Sequence, residues 1–143
     1  MDVVADFRRA PETGRLAGAG WPSRPSIDLT EDASILSAVA NDVGVDAIFS
    51  RQVIAYGREG DVALGISTSG NSRNVIEALV EARRRGLVTI APVRYDGGRV
   101  ADEDLADHVI VSPSQRIPRI REAQASAYHV LRELVERAPA GEE

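Results

Sequence analysis

One stretch of the sequence constrains the fold of this chain most. It is a run of small, hydroxyl-bearing residues that lies between an apolar segment and an amphipathic one. The run is Gly65–Ser72 (GISTSGNS); the apolar segment Val62–Leu64 precedes it, and helical periodicity begins near Asn74. Strand, hydroxyl-rich loop and helix in this order bring backbone N–H groups, side-chain hydroxyls and a helix N-terminus to one small volume. Such a volume favours an anion, most simply a phosphate.

The same loop has a simpler interpretation as a helix cap. Ser72 or Asn71 could cap the following helix, but this leaves Ser67, Thr68 and Ser69 together without a role. The helix dipole contributes only about 0.3–1 kcal/mol to anion binding, so hydroxyls and amides must supply the rest. A Walker A loop is excluded because the Gly-Lys-Ser/Thr ending is absent. We therefore favour anion binding over capping alone.

Apolar runs and helical patterns alternate along the chain. Leu87–Val93 is a continuous apolar run between turn signals, typical of a strand buried on both faces. Alternation of this kind predicts a parallel sheet with helices on both faces, which binds ligands at its carboxyl edge. We predict strands at residues 26–30, 61–66, 87–93 and 108–111, a turn at 95–98, and helices at 1–9, 35–40, 46–56, 74–85, 100–105 and 118–137.

Composition excludes several classes of protein. The 143 residues predict one domain over residues 1–137, followed by a flexible tail at 138–143. A net charge of −5 gives no basic excess for direct nucleic-acid binding, and the lack of cysteine excludes disulfides and cysteine-based zinc sites. The N-terminus has acidic residues and no signal-peptide pattern, and no run is apolar enough to span a membrane. We expect a cytoplasmic protein.

Two separated segments of the chain resemble a known family in both order and spacing. GDVALGISTSGNSRNVIEAL (60–79), preceded by TEDASILSAVANDVGVDAIFSRQV (30–53), is similar to the sugar isomerase (SIS) fold of phosphoheptose isomerases. The likeness runs from about residue 24 to the end of the last helix, and more weakly through residues 1–9. It implies an α/β fold: a three-layer αβα sandwich with a parallel, flavodoxin-like sheet. The family begins with a further helix, a strand and a GNGGSA loop, so we expect an N-terminally truncated form lacking the first helix and first strand.

The resemblance also implies a substrate. Phosphoheptose isomerases convert sedoheptulose 7-phosphate to a manno-heptose 7-phosphate, and their hydroxyl-rich loop holds the sugar phosphate. That role falls here on Ser67, Thr68, Ser69 and Ser72, while Asp32 of the T-x-D-x-S segment resembles the aspartate that contacts the sugar. The implied activity is acid/base aldose–ketose isomerisation of a sugar phosphate, in a homotetramer.

The implied catalytic pair is Asp6 and His129. Family members have a glutamate as base at the position of Asp6, and His129 matches their acid/base histidine. One group removes a proton alpha to the carbonyl, and the other serves the oxygen or returns the proton at the neighbouring carbon. Aspartate is shorter by one methylene, and a misplacement of about 1 Å costs about 10²-fold in rate.

His129 itself has two interpretations. On a helical wheel it lies nearly opposite the apolar stripe, so in a monomer it is simply a solvent-exposed histidine. In the family this face meets a neighbouring subunit and completes its site. The stripe, which we predict to face the core, consists of Ile120, Ala123, Ala127, Leu131 and Leu134.

Two further positions depart from the family. Arg121 stands where the family has a glutamine, and Asp2 where it often has a histidine; some members bind zinc through those positions. Arginine is always protonated and cannot ligate a metal, so we expect no metal cofactor. Arg121 could instead bond a substrate phosphate or carboxylate, or pair with Asp6 across the interface; surface ion pairing is the simpler prediction.

Two other hypotheses follow from these departures. Some relatives lost catalysis and bind the replication initiator protein as tetramers, and the altered Asp2, Asp6 and Arg121 are compatible with that class. The third hypothesis is a truncated, inactive gene product.

Overall fold

The structure is a computed structural model that describes residues 25–94, 96–112, 114 and 116–137, and its residues 29–124 contain a three-stranded parallel sheet. The strands β1 (Val62–Leu64), β2 (Val88–Arg94) and β3 (His108–Ser112) lie in the order β1-β2-β3. Val62 pairs with Val88, and Ile90 with His108. Parallel neighbours require crossover connections, which the intervening helices supply. The predicted parallel α/β architecture is confirmed.

The helices follow the predicted alternation, with shifted boundaries. Asp32 caps α1 by accepting bonds from Ser34 N and Ile35 N at 2.9 and 3.1 Å. The helix predicted over 46–56 is wrong as a single element, since a 3-10 turn closes first and an α-helix begins only at Ser50. The helices are α1 (Ala33–Asp42), the 3-10 turn Val45–Ala47, α2 (Ser50–Tyr56), α3 (Arg73–Arg84), α4 (Gly98–Asp102) and α5 (Ile117–Arg137).

Helix α3 contributes to both apolar clusters of the core. Its Ile76 and Leu79 pack in the first cluster, and its Ala82 packs in the second with Val53 and Leu87. Leu79 is only 2% exposed. The position of α3, and so of its N-terminus, is therefore fixed by buried apolar surface. The first cluster comprises Ile76, Leu79, Ala91, Val93, Val100 and Ala106.

A polar clamp ties the amino end of β2 to the segment before β3. The fully buried Thr89 donates from its N–H and hydroxyl to Asp107 Oδ2 at 2.8 and 2.7 Å, and its hydroxyl accepts from Asp107 N at 2.9 Å. Arg83 Nε lies 3.2 Å from Asp107 Oδ1. The hydrogen bonds from Thr89, with a smaller effect from Arg83, hold the pKa of the Asp107 carboxyl below its ordinary value.

The predicted strand over residues 26–30 is wrong. Residues 25–28 have no regular structure and residues 29–30 form a turn, while Ile27 is 56% exposed. A strand exists only where a neighbour supplies hydrogen-bond partners, and in the described sheet β1 pairs with β2 alone. The alternating pattern at 26–30 indicates a propensity but cannot provide that neighbour.

The buried face of α5 differs from the predicted stripe. Ile120, Gln124 and Tyr128, four residues apart, are buried, whereas Leu134 is 58% exposed and was wrongly assigned to the core. Gln124 is tolerated inside because its Nε2 donates to Pro92 O at 3.1 Å. A wheel that counts only apolar residues misses such a satisfied amide.

The described chain groups into two compact units, residues 29–124, and residues 25–28 with 125–137. A single domain over residues 1–137 stays a prediction, and the tail at 138–143 lies outside the described residues. None of the helices that the structure describes is long and apolar enough to cross a membrane.

Candidate functional site

The loop between β1 and α3 closes on itself through the Ser67 hydroxyl. This side chain is only 4% exposed; its Oγ donates to Ser72 Oγ at 3.1 Å and accepts from Gly70 N at 3.1 Å. Ser67 N donates to Pro92 O at 3.3 Å, which holds the loop against β2. Two of the predicted binding hydroxyls, on Ser67 and Ser72, are therefore in direct contact.

Ser72 occupies the N-cap position of α3 without acting as a side-chain cap. Its carbonyl accepts from Ile76 N at 3.0 Å and its backbone is extended, but its side chain makes no capping hydrogen bond. The hydroxyl instead contacts Ser67. Capping therefore does not account for Ser72, which supports the anion-binding interpretation.

Thr68 and Ser69 complete the hydroxyl set at the surface of the same loop. Thr68 is exposed and Ser69 is half-buried, with Ser69 Oγ accepting from Asn71 N at 3.1 Å. Arg73, the first residue of α3, has its Nε 3.3 Å from Asp46 Oδ2, so a carboxylate partly neutralises this cation. Backbone amides and the helix N-terminus are then the groups of this loop that favour an anion.

A second loop, Gly97–Gly98, lies directly against the first. Gly70 is buried with φ +65°, and a Cβ there would lie 2.0 Å from Gly97 O. A Cβ on Gly98 would lie 2.5 Å from Ser69 O. From the sequence we predicted only a turn at Gly97–Gly98. This glycine pair follows the neighbouring strand at the same edge of the sheet, and that position could have indicated a second loop at the site.

Asn71 bridges the two loops, and sequence reasoning missed this role as well. Its Oδ1 accepts from Arg99 N at 2.9 Å, and its Nδ2 donates to Ser69 O at 3.1 Å. Val100 N adds a bond to Gly70 O at 3.1 Å. Asn71, considered above as a helix cap, joins two loops instead.

The remaining predicted site residues lie on helices. Asp32 is exposed and accepts both of its cap bonds at Oδ1; its contact with a sugar stays a prediction. Arg121 and His129 are exposed on α5, with the His129 ring centroid 5.0 Å from that of Tyr128. Asp6 and Asp2 lie outside the described residues, so the pairing of Asp6 with His129 stays a prediction.

The metal prediction also stays open. Among the described residues, no group of three or more histidines and carboxylates could hold a metal ion. Arg121 brings a permanently protonated guanidinium to its position, which does not suit a metal ligand.

A comparison with known proteins identifies the family. The sequence model of the protein family described as 'SIS domain' matches residues 7–92 of this chain. The chain belongs to the SIS domain family. It is 44% identical over 120 residues to a phosphoheptose isomerase of Sulfurimonas denitrificans, covering 84% of this chain and 60% of that protein. With one from Geobacter sulfurreducens it shares 51% identity over 113 residues, covering 79% and 59%. The chain thus spans about three fifths of the curated relatives it matches.

Solved structures agree with the sequence relatives and confirm the expected SIS fold. A phosphoheptose isomerase from Neisseria gonorrhoeae aligns with a TM-score of 0.73 and 42% identity, covering 78% of this chain and 61% of that one. One from Francisella tularensis aligns with a TM-score of 0.80 and 30% identity, covering 95% and 71%. This SIS domain therefore belongs with the phosphoheptose isomerases.

Proposed function

We propose that this SIS domain binds a sugar phosphate and isomerises sedoheptulose 7-phosphate between its ketose and aldose forms. The observation that carries the proposal is the contact between the Ser67 and Ser72 hydroxyls at the N-terminus of α3, whose N-cap side chain makes no capping bond. A phosphate suits this place because hydroxyls, amides and helix dipole all favour negative charge.

In the proposed complex the loop supplies neutral donors to the phosphate. Ser67, Thr68, Ser69 and Ser72 donate hydroxyl hydrogens to its oxygens, and Ser67 exchanges its bond to Ser72 for one to the ligand. Both cap bonds of Asp32 fall on Oδ1, so a sugar hydroxyl would donate to Oδ2. Binding to neutral donors depends less on ionic strength than binding to exposed lysine or arginine.

The proposed chemistry is a proton transfer between adjacent carbons. Asp6 removes a proton from the carbon next to the ketone, and His129 donates a proton to the ketone oxygen, giving an enediol. Removal of the hydroxyl proton at the neighbouring carbon and protonation of the former carbonyl carbon then give the aldose. An aspartate base, one methylene shorter than glutamate, predicts turnover slower by about 10²-fold than in a glutamate enzyme.

We infer further that the active form is a cytoplasmic homotetramer. The support is the exposure of His129 and Arg121, together with the family resemblance. Arg121 either bonds the substrate or pairs with Asp6, and the proposed reaction needs no metal. The relatives and structures described above are all named phosphoheptose isomerases, so a role in binding a replication initiator is not favoured.

The test follows sedoheptulose 7-phosphate by NMR after addition of the full chain. We expect aldose heptose 7-phosphate to accumulate, and the Ser67→Ala/His129→Ala variant to be inactive. No turnover above this variant would refute catalysis. Thermal shift separates binding from catalysis, since a ligand at about 100 times its Kd stabilises a protein by about 2.7 kcal/mol.

A further inference from the structure

We propose that Asn71 is a positioning residue that holds the phosphate-binding loop in its donor arrangement by fastening it to the second loop. The inference rests on the proposed function, because it concerns how the same loop is shaped for an anion. Asn71 is not proposed to touch the substrate.

Asn71 makes two hydrogen bonds to Ser69 and one to Arg99. Its N–H donates to Ser69 Oγ at 3.1 Å and its Nδ2 to Ser69 O at 3.1 Å, which together close a tight turn within the first loop. Its Oδ1 accepts from Arg99 N at 2.9 Å, which joins that turn to the start of α4. The side chain thus fixes the loop internally and anchors it externally.

The bond from Asn71 N also sets the polarity of the Ser69 hydroxyl. A hydroxyl carries one hydrogen and two lone pairs. Because the Asn71 amide donates into the Ser69 oxygen, the hydroxyl hydrogen points away from that amide and stays available to an anion. Ser67 shows the same polarity, since its oxygen accepts from Gly70 N. The hydroxyls of Ser67 and Ser69 thus accept from the loop's own backbone, while the hydroxyl of Ser67 donates to Ser72 until a ligand replaces that bond.

The second loop serves as an anchor because its amides already have partners. Gly98 N donates to Asp96 Oδ1 at 3.3 Å, Arg99 N to Asn71, and Val100 N to Gly70 O at 3.1 Å. Packing reinforces these bonds, since a Cβ on Gly98 would lie 2.9 and 3.0 Å from Asn71 Oδ1 and Nδ2. The two loops meet without space for another atom.

The experiment compares two variants that break this contact from opposite sides. Asn71→Ala removes the bridge, and Gly98→Ala presses on Ser69 O and on the Asn71 side chain while the residues of the first loop stay unchanged. Titration calorimetry with inorganic phosphate and with sedoheptulose 7-phosphate should show a Kd about tenfold higher for both variants, as expected from the loss of about two hydrogen bonds. Amide hydrogen exchange at residues 69–71 and 99–100 should accelerate by about tenfold without ligand.

Two controls separate positioning from general stability. Asn41→Ala makes the same chemical change on exposed α1 and should bind like the wild type. Thr89→Val destabilises the fold at the amino end of β2, so it should lower Tm while leaving the Kd unchanged. All titrations are made well below the Tm of each variant.

The outcomes distinguish the inference from the proposed function. A wild-type Kd or wild-type loop exchange in Asn71→Ala overturns the positioning role, while phosphate binding by the wild type leaves the proposed function standing. If the wild type binds neither phosphate nor sedoheptulose 7-phosphate, the proposed function fails and the inference falls with it.

Discussion

Replacing Gly70 by alanine tests how closely the two loops are packed. The residue has φ +65°, and its new Cβ would lie 2.0 Å from Gly97 O and 2.7 Å from Gly97 C. Both atoms belong to backbone, so no side-chain rotation relieves the clash. The loops must separate by roughly 1 Å, which disturbs the hydroxyl arrangement of Ser67 and Ser72.

The expected loss of stability in Gly70→Ala has two contributions. A non-glycine residue in the left-handed region costs about 1–2 kcal/mol, and overpacking a well-packed site costs about 1–3 kcal/mol. We therefore expect Gly70→Ala to lower the free energy of unfolding by about 2–5 kcal/mol. Isomerase turnover should fall by about 10²-fold because the bound phosphate is displaced by about 1 Å.

Gly60→Ala is the matched control. Gly60 has φ +87°, and a Cβ added there would have nothing within 4 Å, so this variant carries the backbone cost without the clash. Urea unfolding should show a loss of about 1–2 kcal/mol and an unchanged phosphate Kd. Equal losses of stability and equal phosphate affinity in the two variants would refute the argument, because the contact with Gly97 would then have no energetic effect.

Three further predictions concern other parts of the chain. The pKa of Asp107 is lowered in the folded state, so the clamp contributes its full stabilisation above the ordinary carboxyl pKa of 3.8, and this stabilisation is lost as pH falls through the lower folded pKa. In acid titrations the difference in unfolding free energy between the wild type and Asp107→Asn should therefore shrink below about pH 4. A difference that stays constant with pH would contradict this. Leu79→Ala should lower the unfolding free energy by about 2–5 kcal/mol in urea, because Leu79 is 2% exposed in the core; a loss under about 1 kcal/mol would mean that the cavity collapses freely. His129→Ala should abolish isomerisation while leaving the phosphate Kd unchanged, and retained turnover by NMR would remove His129 from the mechanism.

Sequence patterns predicted those parts of the fold that depend on local periodicity. The run at Leu87–Val93 gave the buried strand β2, and the amphipathic segment after Asn74 gave α3, because burial on a regular element leaves a regular pattern. The prediction of a strand at 26–30 was wrong because strand formation does not depend on local periodicity alone. Pairing depends on a neighbour elsewhere in the chain, which no local pattern contains.

The sequence indicated only those parts of the candidate site whose residues are close together in the chain. The hydroxyls of Ser67 and Ser72 lie within one loop, and they are in contact. The bridge from Asn71 reaches a residue 28 positions away, and the Gln124 amide reaches a carbonyl 32 positions away. Single-sequence reasoning has no means of pairing an asparagine with a backbone amide at that distance.

The hydrogen bonds to the Pro92 carbonyl join segments that are synthesised at different times. This carbonyl accepts from Ser67 N, which the ribosome delivers earlier, and from Gln124 Nε2, which it delivers much later. Chains are synthesised from the N-terminus, and contacts between distant residues form late. The loop at residues 65–72 therefore leaves the ribosome before β2 and the second loop, the segments to which it is hydrogen-bonded in the folded protein.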